Sequence, residues 1–318
     1  MKCNICGNKK NNKYYSVKEM MFGSRDEFNY MECDSCGCIQ ICEIPGNISE
    51  YYPADYYSFT KTAGTGLGKK LLIKTKSIRD KAAVFKRGLM GNILNSFFPN
   101  EVLNTMSGVL SKDQHILDAG CGKGMILSQL KEIGFVHLSG IDPFIENDIR
   151  YKNGLEIRKM SLQEVTGTWD IIMFHHSFEH MPNPGQILKL INAKLSVEGT
   201  AIIRIPVSGS FAWQEFGTDW VQLDAPRHFY LHTKKSMEII ADYAGLKISN
   251  IIYDSTDFQF WGSEQYKRDI PLNDPRSYSV NPAGSIFSKS EINSYRKKAK
   301  ILNQKRQGDS AAFFLNKK

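Results

Sequence analysis

The chain has 318 residues, 42% of them hydrophobic and 23% charged, with a net charge of +8. That balance excludes a disordered polymer, and no apolar stretch approaches the ~20 residues that span a bilayer. The opening "MKCNICGNKKNNK" lacks the apolar core of a secretory signal, so the expected compartment is the cytoplasm.

Six of the seven cysteines fall in the first 42 residues, where "CNICG" and "CDSCG" form two C-x-x-C-G units, Cys3/Cys6 and Cys33/Cys36. Each unit suits a tight turn that points two thiolates at one ion, with Gly7 and Gly37 free to take positive φ after the second ligand. Two such turns predict a structural four-cysteine Zn²⁺ site in a small ribbon over residues 1–45. A disulfide pair is disfavoured in a reducing compartment, and a redox C-x-x-C would not come twice. Cys38 and Cys42 read as buried thiols, although Cys38 is an alternative to Cys36 as fourth ligand.

Residues 46–110 read as an aromatic linker, "YYPADYYSF", followed by a helical connector. "KTAGTGLGKK" imitates a P-loop but has Ala63 where the first glycine belongs and Lys70 where a hydroxyl belongs. Between Lys69 and Arg87 eight Lys or Arg residues stand against one acid, Asp80. That run is either a solvated helix face or a contact with substrate or an anionic membrane surface.

From residue 111 to 255, short β-branched runs alternate with helical patterns. "HILDAG", "HLSGIDP", "LEIRKM", "WDIIMF", "TAIIRIPV" and "LKISNIIYD" predict six strands, with helices near 124–133, 184–195 and 234–244. The expected fold is α/β, a doubly wound Rossmann-like sheet with ligands at the carboxyl ends of its strands. Residues 256–318 read as an extension ending in a basic helix, "EINSYRKKAKILNQKRQ".

The loop after the first of these strands, "DAGCGKG", spells G-x-G-x-G at Gly120, Gly122 and Gly124. A dinucleotide site wants G-x-G-x-x-G, and a P-loop wants a different spacing again. The loop, its preceding acid and the later "GIDP" and "HHSFEH" stretches resemble the class I S-adenosylmethionine-dependent methyltransferases. That resemblance implies that Asp118, Gly120, Cys121, Gly122 and Gly124 pass under the cofactor, and that Asp142, before Pro143, takes its ribose hydroxyls. It further implies Ser161 and Leu162 around the adenine, and His175 or His176 at the methionyl end, the other pointing into the sheet. Asp170, Glu179 and His180 match the family's fourth strand and turn; Glu179 and His180 are either a hydrogen-bonded pair fixing the turn or catalytic groups. In ubiquinone-type O-methyltransferases this turn carries acids that hold a divalent ion, but His176 replaces one of them, so no second metal is expected.

A zinc module before such a domain resembles the sugar C-methyltransferases and other methyltransferases of surface polysaccharide synthesis. In "DAPRHFYLH" the chain keeps His228 and Tyr230 but has Ala225 and Arg227 where that family carries Tyr and Glu, which favours oxygen over carbon as acceptor. His228 is then the base or substrate anchor, with Asp224, Arg227, Tyr56 and Tyr57 as substrate contacts. The aromatic residues Tyr51, Tyr52, Phe211, Trp213 and Trp220 either stack on a sugar or pack a domain junction. The expected partner is a sugar or nucleotide sugar, with a weak contact to an anionic membrane surface and no nucleic acid. An RNA base methyltransferase and a non-catalytic cofactor-binding scaffold are the alternatives.

Overall fold

The computed structural model describes residues 1–52 and 67–318. Strands β1 (Lys13–Lys18) and β2 (Glu27–Glu32) pair antiparallel, with Lys13 opposite Glu32 and Lys18 opposite Glu27, so opposite charges meet across both ends of the ladder. β3 (Ile39–Ile41) adds to β2. The connector follows as α1 (Leu67–Phe85), α2 (Leu89–Phe97) and the short α3 (Glu101–Thr105). Gly91 lets α2 lie against α1, since a Cβ there would stand 2.6 Å from the Ile78 carbonyl oxygen and 2.7 Å from Ala82 Cβ.

Next come β4 (Ile116–Ala119), α4 (Met125–Glu132), β5 (Leu138–Ile141), β6 (Ile149–Arg150), β7 (Glu156–Arg158), β8 (Trp169–His175), α5 (Pro184–Lys194) and β9 (Leu195–Pro206). After them run α6 (Phe211–Phe216), β10 (Tyr230–Leu231), α7 (Lys234–Tyr243), β11 (Leu246–Tyr253), α8 (Phe258–Lys267), α9 (Lys289–Gln304) and β12 (Ser310–Lys317). Eight strands form the main sheet in the order β11-β12-β9-β8-β4-β5-β7-β6. β4, β5, β7, β8 and β9 run parallel, as the expected doubly wound sheet requires.

Strand periodicity divides the core between the two faces of this sheet. Ile172, Phe174, Phe313 and Leu315 pack with α5 and α7, whereas Ile171, Met173, Ala312 and Phe314 pack with α1 and α4. Central strands buried on both faces carry no polar alternation, which is why "WDIIMF" reads as one apolar run.

Two expectations about boundaries need correction. The sheet does not end near residue 255: β12, from the segment assigned to the extension, lies antiparallel between β9 and β11. Its run "AAFFL" is apolar on both faces and gives no period by which strand and buried helix differ. Nor is the cysteine ribbon a separate unit, because β10 pairs with β3 and completes a four-stranded sheet β1-β2-β3-β10. Trp213, Trp220, Phe216 and Leu223 then bury against Tyr30, Ile39 and the cysteines in one core.

Candidate functional site

Gly120, Gly122 and Gly124 all take left-handed backbone, with φ 72, 54 and 69. A Cβ on Gly120 would lie 2.5 Å from Ser177 Cβ, and one on Gly124 would lie 2.4 Å from Ile157 Cδ1. The loop is therefore held tight against β5 and the turn after β8, with Gly120 N–H and Cys121 N–H both donating to the Ile141 carbonyl. Asp142, just past β5, accepts from Gly122 N–H and, across Pro143, from Phe144 N–H, each at 2.8 Å. This locks the acid beside the loop while lone pairs remain for hydroxyl donors.

Asp118 is buried, and its Oδ1 has no hydrogen-bond partner among the described residues. Burial pushes its carboxyl up to about 8, and the Asp142 charge adds to the rise. A buried acid with an unused oxygen below a glycine loop suits a cationic group. These features fit S-adenosylmethionine: the glycine backbone could admit its chain, Asp142 could take ribose hydroxyls and Asp118 could face the ammonium. One expected contact fails: Ser161 donates both N–H and Oγ–H to Glu164, at 2.7 and 2.6 Å, so its N–H is not available to an adenine. Leu162 is buried in the apolar core on the α5 side.

The turn after β8 gathers the titratable groups. His175 has both ring nitrogens buried without partners among the described residues, and burial lowers its pKa to about 3, so it is neutral packing. His176 has φ 51 and its ring bridges outward, with Nδ1 3.3 Å from Glu179 and Nε2 against the Arg204 guanidinium. Glu179 is fully buried; burial pushes its carboxyl up, but His176, His180 and His228 pull it further down, to about 2.

Two histidines flank that carboxylate. His228 Nδ1 lies 2.7 Å from the Gln222 carbonyl, and His180 Nδ1 lies 2.8 Å from the Arg227 carbonyl. A carbonyl only accepts, so both rings carry a proton on Nδ1 and are fixed in orientation by it. In His228, Nε2 stands 3.9 Å from Glu179 and 3.7 Å from Asp224. Burial, together with the neighbouring His228, lowers the His180 pKa to about 4, which keeps that ring neutral. The Tyr52 hydroxyl reaches His180 Nδ1 at 3.1 Å, and its ring stacks over Phe144. Glu179, His180 and His228 also offer one ligand atom each within 4.8 Å of one another, a set that could hold a cation without help from His176.

Arg227 is not a substrate contact. Its side chain is fully buried and forms ion pairs with Asp224 at 2.6 Å and Glu19 at 2.8 Å. Sequence alone cannot distinguish a buried arginine from an exposed one in a polar stretch, and Glu19 carries no motif that would reveal its partner. Asp224 is drawn to Arg227 as well as to His228. Tyr56 and Tyr57 lie outside the described residues. Trp213 and Trp220 pack the junction core, and Tyr51 donates to Asp26, so among the expected aromatic residues it is Tyr52 that faces the histidines.

A cavity of about 190 Å³ opens beside this cluster, lined by His176, Arg204, Gln222, Asp254, Gln259 and Asp309 among others. Its walls come from the carboxyl ends of β8, β9 and β11 and from the start of β12. Arg204 is ion-paired with Asp254, and Gln259 Oε1 is buried without a partner among the described residues. Burial raises the Asp309 carboxyl to about 6, although Trp220 donates to it at 2.9 Å. The single charge in "TAIIRIPV" was the available signal for this site, since an arginine inside an apolar strand must find a partner.

At the other end of the junction, Cys3, Cys6, Cys33 and Cys36 bring their sulfurs within 4.8 Å of one another, with Cys3–Cys36 at 3.7 Å and Cys6–Cys33 at 3.4 Å. Tetrahedral Zn–S bonds of about 2.3 Å need sulfurs roughly 3.7 Å apart, so the set fits Zn²⁺. Cys38 is outside it, with Sγ 3.9 Å from His232 Nδ1, which selects Cys36 as the fourth member.

Residues 95–250 match the model of a family described as a methyltransferase domain. Similar solved structures include a cyclopropane synthase from Mycobacterium tuberculosis, 14% identical over 65% of this chain and 79% of that one, with a TM-score of 0.42. A 1,6-didemethyltoxoflavin N1-methyltransferase from Burkholderia thailandensis is 12% identical over 91% and 95% of the two chains, with a TM-score of 0.42. A methyltransferase from Archaeoglobus fulgidus is 18% identical over 80% and 100%, with a TM-score of 0.40. No curated protein matches the sequence. The glycine loop and its acids fall inside the matched stretch, and the enzyme is an S-adenosylmethionine-dependent methyltransferase.

Proposed function

We propose that the enzyme methylates a hydroxyl of a sugar, nucleotide-linked or within a glycan, in surface polysaccharide synthesis. The observation that carries this reading is the polar cavity whose wall includes Gln222, the residue that His228 Nδ1 bonds. A wall of His176, Arg204, Gln222, Asp254, Gln259 and Asp309 offers donors and acceptors on every side, which suits a polyhydroxylated ring and not a flat apolar acceptor. The cysteine set supports a structural Zn²⁺ that secures the ribbon against β10.

When bound, S-adenosylmethionine supplies an electrophilic methyl group on a sulfonium. The chain's part is to align the acceptor, exclude water and take one proton. His228 Nε2 carries the lone pair that accepts the hydroxyl proton, because Nδ1–H is committed to the Gln222 carbonyl. Gln222 also lines the cavity, so the acceptor wall and the base are one rigid piece. Glu179 and Asp224, both ionised, flank the ring where positive charge appears as the proton arrives. The test is incubation of enzyme and labelled cofactor with nucleotide sugars, glycans and RNA in parallel. Label in a sugar fraction, removed by ether-cleaving chemistry, is expected; label confined to RNA would overturn the reading, and a resistant product would move the acceptor to carbon.

A further inference from the structure

Helix α2 turns its apolar arc outward. Leu89, Met90, Ile93 and Phe97 fall within about 100° of one another at helical spacing, and their exposures are 80%, 66%, 49% and 75%, with Phe98 next at 68%. A surface helix ordinarily turns such an arc inward. Here the inward side is Gly91, seated on α1, and the arc has no cover among the described residues. Scattered apolar side chains on a surface need no explanation, but four on one face of a nine-residue helix, with Phe98 exposed just beyond its end, mark a contact site.

The surroundings say what kind of partner. Lys74, Lys76 and Lys81 on α1, and Lys86 and Arg87 in the turn between the helices, are all exposed. The acid of the hairpin, Asp80, is buried and paired with Arg79 at 2.7 Å, so it cancels none of them. Glu101 and Glu132 on neighbouring elements leave the balance positive. Leu72 and Ile73 extend the exposed apolar surface along α1. A second copy of the chain would bring one cationic rim against another. A nucleic acid would match the charge but offers no apolar layer to receive Phe97 and Leu89.

We propose that α1 and α2 dock this enzyme on an anionic membrane surface. The arc of α2 sinks to the boundary between headgroups and acyl chains, and the surrounding Lys and Arg side chains meet the lipid anions. No helix among the described residues is long and apolar enough to cross a membrane, so the attachment is peripheral and reversible. The acceptor is then met at a surface where lipid-carried glycans reside. The docking itself does not depend on the sugar reading and is tested without substrate.

Flotation of the full chain with phosphatidylcholine vesicles, with and without phosphatidylserine, reads the effect. Binding is expected only with phosphatidylserine and should weaken as salt rises. Lys74→Gln and Lys81→Gln, which share one face of α1 at helical spacing, should each weaken it about fivefold, the equivalent of the about 1 kcal/mol that one cation contributes near such a surface. Leu89→Ser with Phe97→Ser should weaken it at least tenfold at unchanged melting temperature, since both side chains are exposed. No binding to phosphatidylserine vesicles, or equal binding by the Leu89→Ser/Phe97→Ser variant, would overturn the proposal. So would light scattering that shows a dimer abolished by that variant, which would make the arc a contact between copies.

Discussion

Glu19→Gln probes whether the cysteine ribbon holds His180 and His228 in place. The Glu19 carboxylate accepts from the N–H groups of Met21, Phe22, Gly23 and Ser24 at 3.1, 3.0, 2.9 and 3.1 Å, and from Arg227 Nη2 at 2.8 Å. Both partners of the ion pair are fully buried. An amide of the same shape removes the charge and turns an NH₂ towards N–H donors that need an acceptor. Breaking a buried pair from one side costs about 3–5 kcal/mol. Arg227 keeps Asp224 at 2.6 Å, which argues for the lower end, about 3 kcal/mol. Against a total stability of about 5–15 kcal/mol that is a large fraction, readable from the denaturant midpoint. Trp213 and Trp220 lie in the same core and report on it by fluorescence. Because the Arg227 carbonyl accepts from His180 and the next residue is His228, kcat should fall while cofactor affinity is kept. A loss below about 1 kcal/mol, the centre of the range for point substitutions in general, would refute the idea that this pair joins ribbon to site.

The remaining predictions address the same site. Cofactor affinity should rise as pH climbs towards 8, because Asp118 must ionise to meet a cation and burial holds its carboxyl up to about 8. In calorimetry Asp118→Asn should flatten that rise, and a wild-type curve with no such limb would count against the assignment. The same raised pKa predicts that the cofactor-free protein loses stability as pH rises from 3.8 through about 8, and that Asp118→Asn removes this loss. Glu179 works the other way: its pKa is depressed to about 2, so its stabilisation is complete above 4.5 and disappears as pH falls towards 2. His228→Ala should lower kcat by roughly 10²–10⁴ with cofactor affinity unchanged, and rapid turnover by that variant would remove it as the base. Cys33→Ser should lower both the zinc measured by elemental analysis and the melting temperature, whereas Cys38→Ser should leave zinc content alone.

The glycine loop, the acid after β5 and the paired C-x-x-C-G units are local patterns, and each lies close to where its spacing put it. The helices expected over 184–195 and 234–244 are present as α5 and α7, where Pro184 sits in the first turn of one and Thr233 Oγ1 accepts from Ser236 N–H at the start of the other. What the sequence hides is pairing at long range. Nothing near Arg227 announces Glu19, 208 residues earlier, and nothing in "HFYLH" announces that Tyr230 will pair opposite Gln40. The cavity lined by His176 and Arg204 is assembled from four strand ends, Gln222 and an α8 glutamine, so no contiguous stretch carries its signature.

The position of β12 bears on how the enzyme assembles. It pairs with β9 so that Ser310 meets Pro206, and with β11 so that Ala311 meets Tyr253. Both partners therefore precede in the chain the strand that separates them, and until it arrives each presents an unpaired ladder to its surroundings. Closing such distant contacts is slow relative to helix formation. An intermediate with β9 and β11 exposed is thus the species to expect in refolding, and the one most prone to capture another chain. Phe313 and Phe314, pointing to opposite sides, then seal both halves of the core in a single insertion.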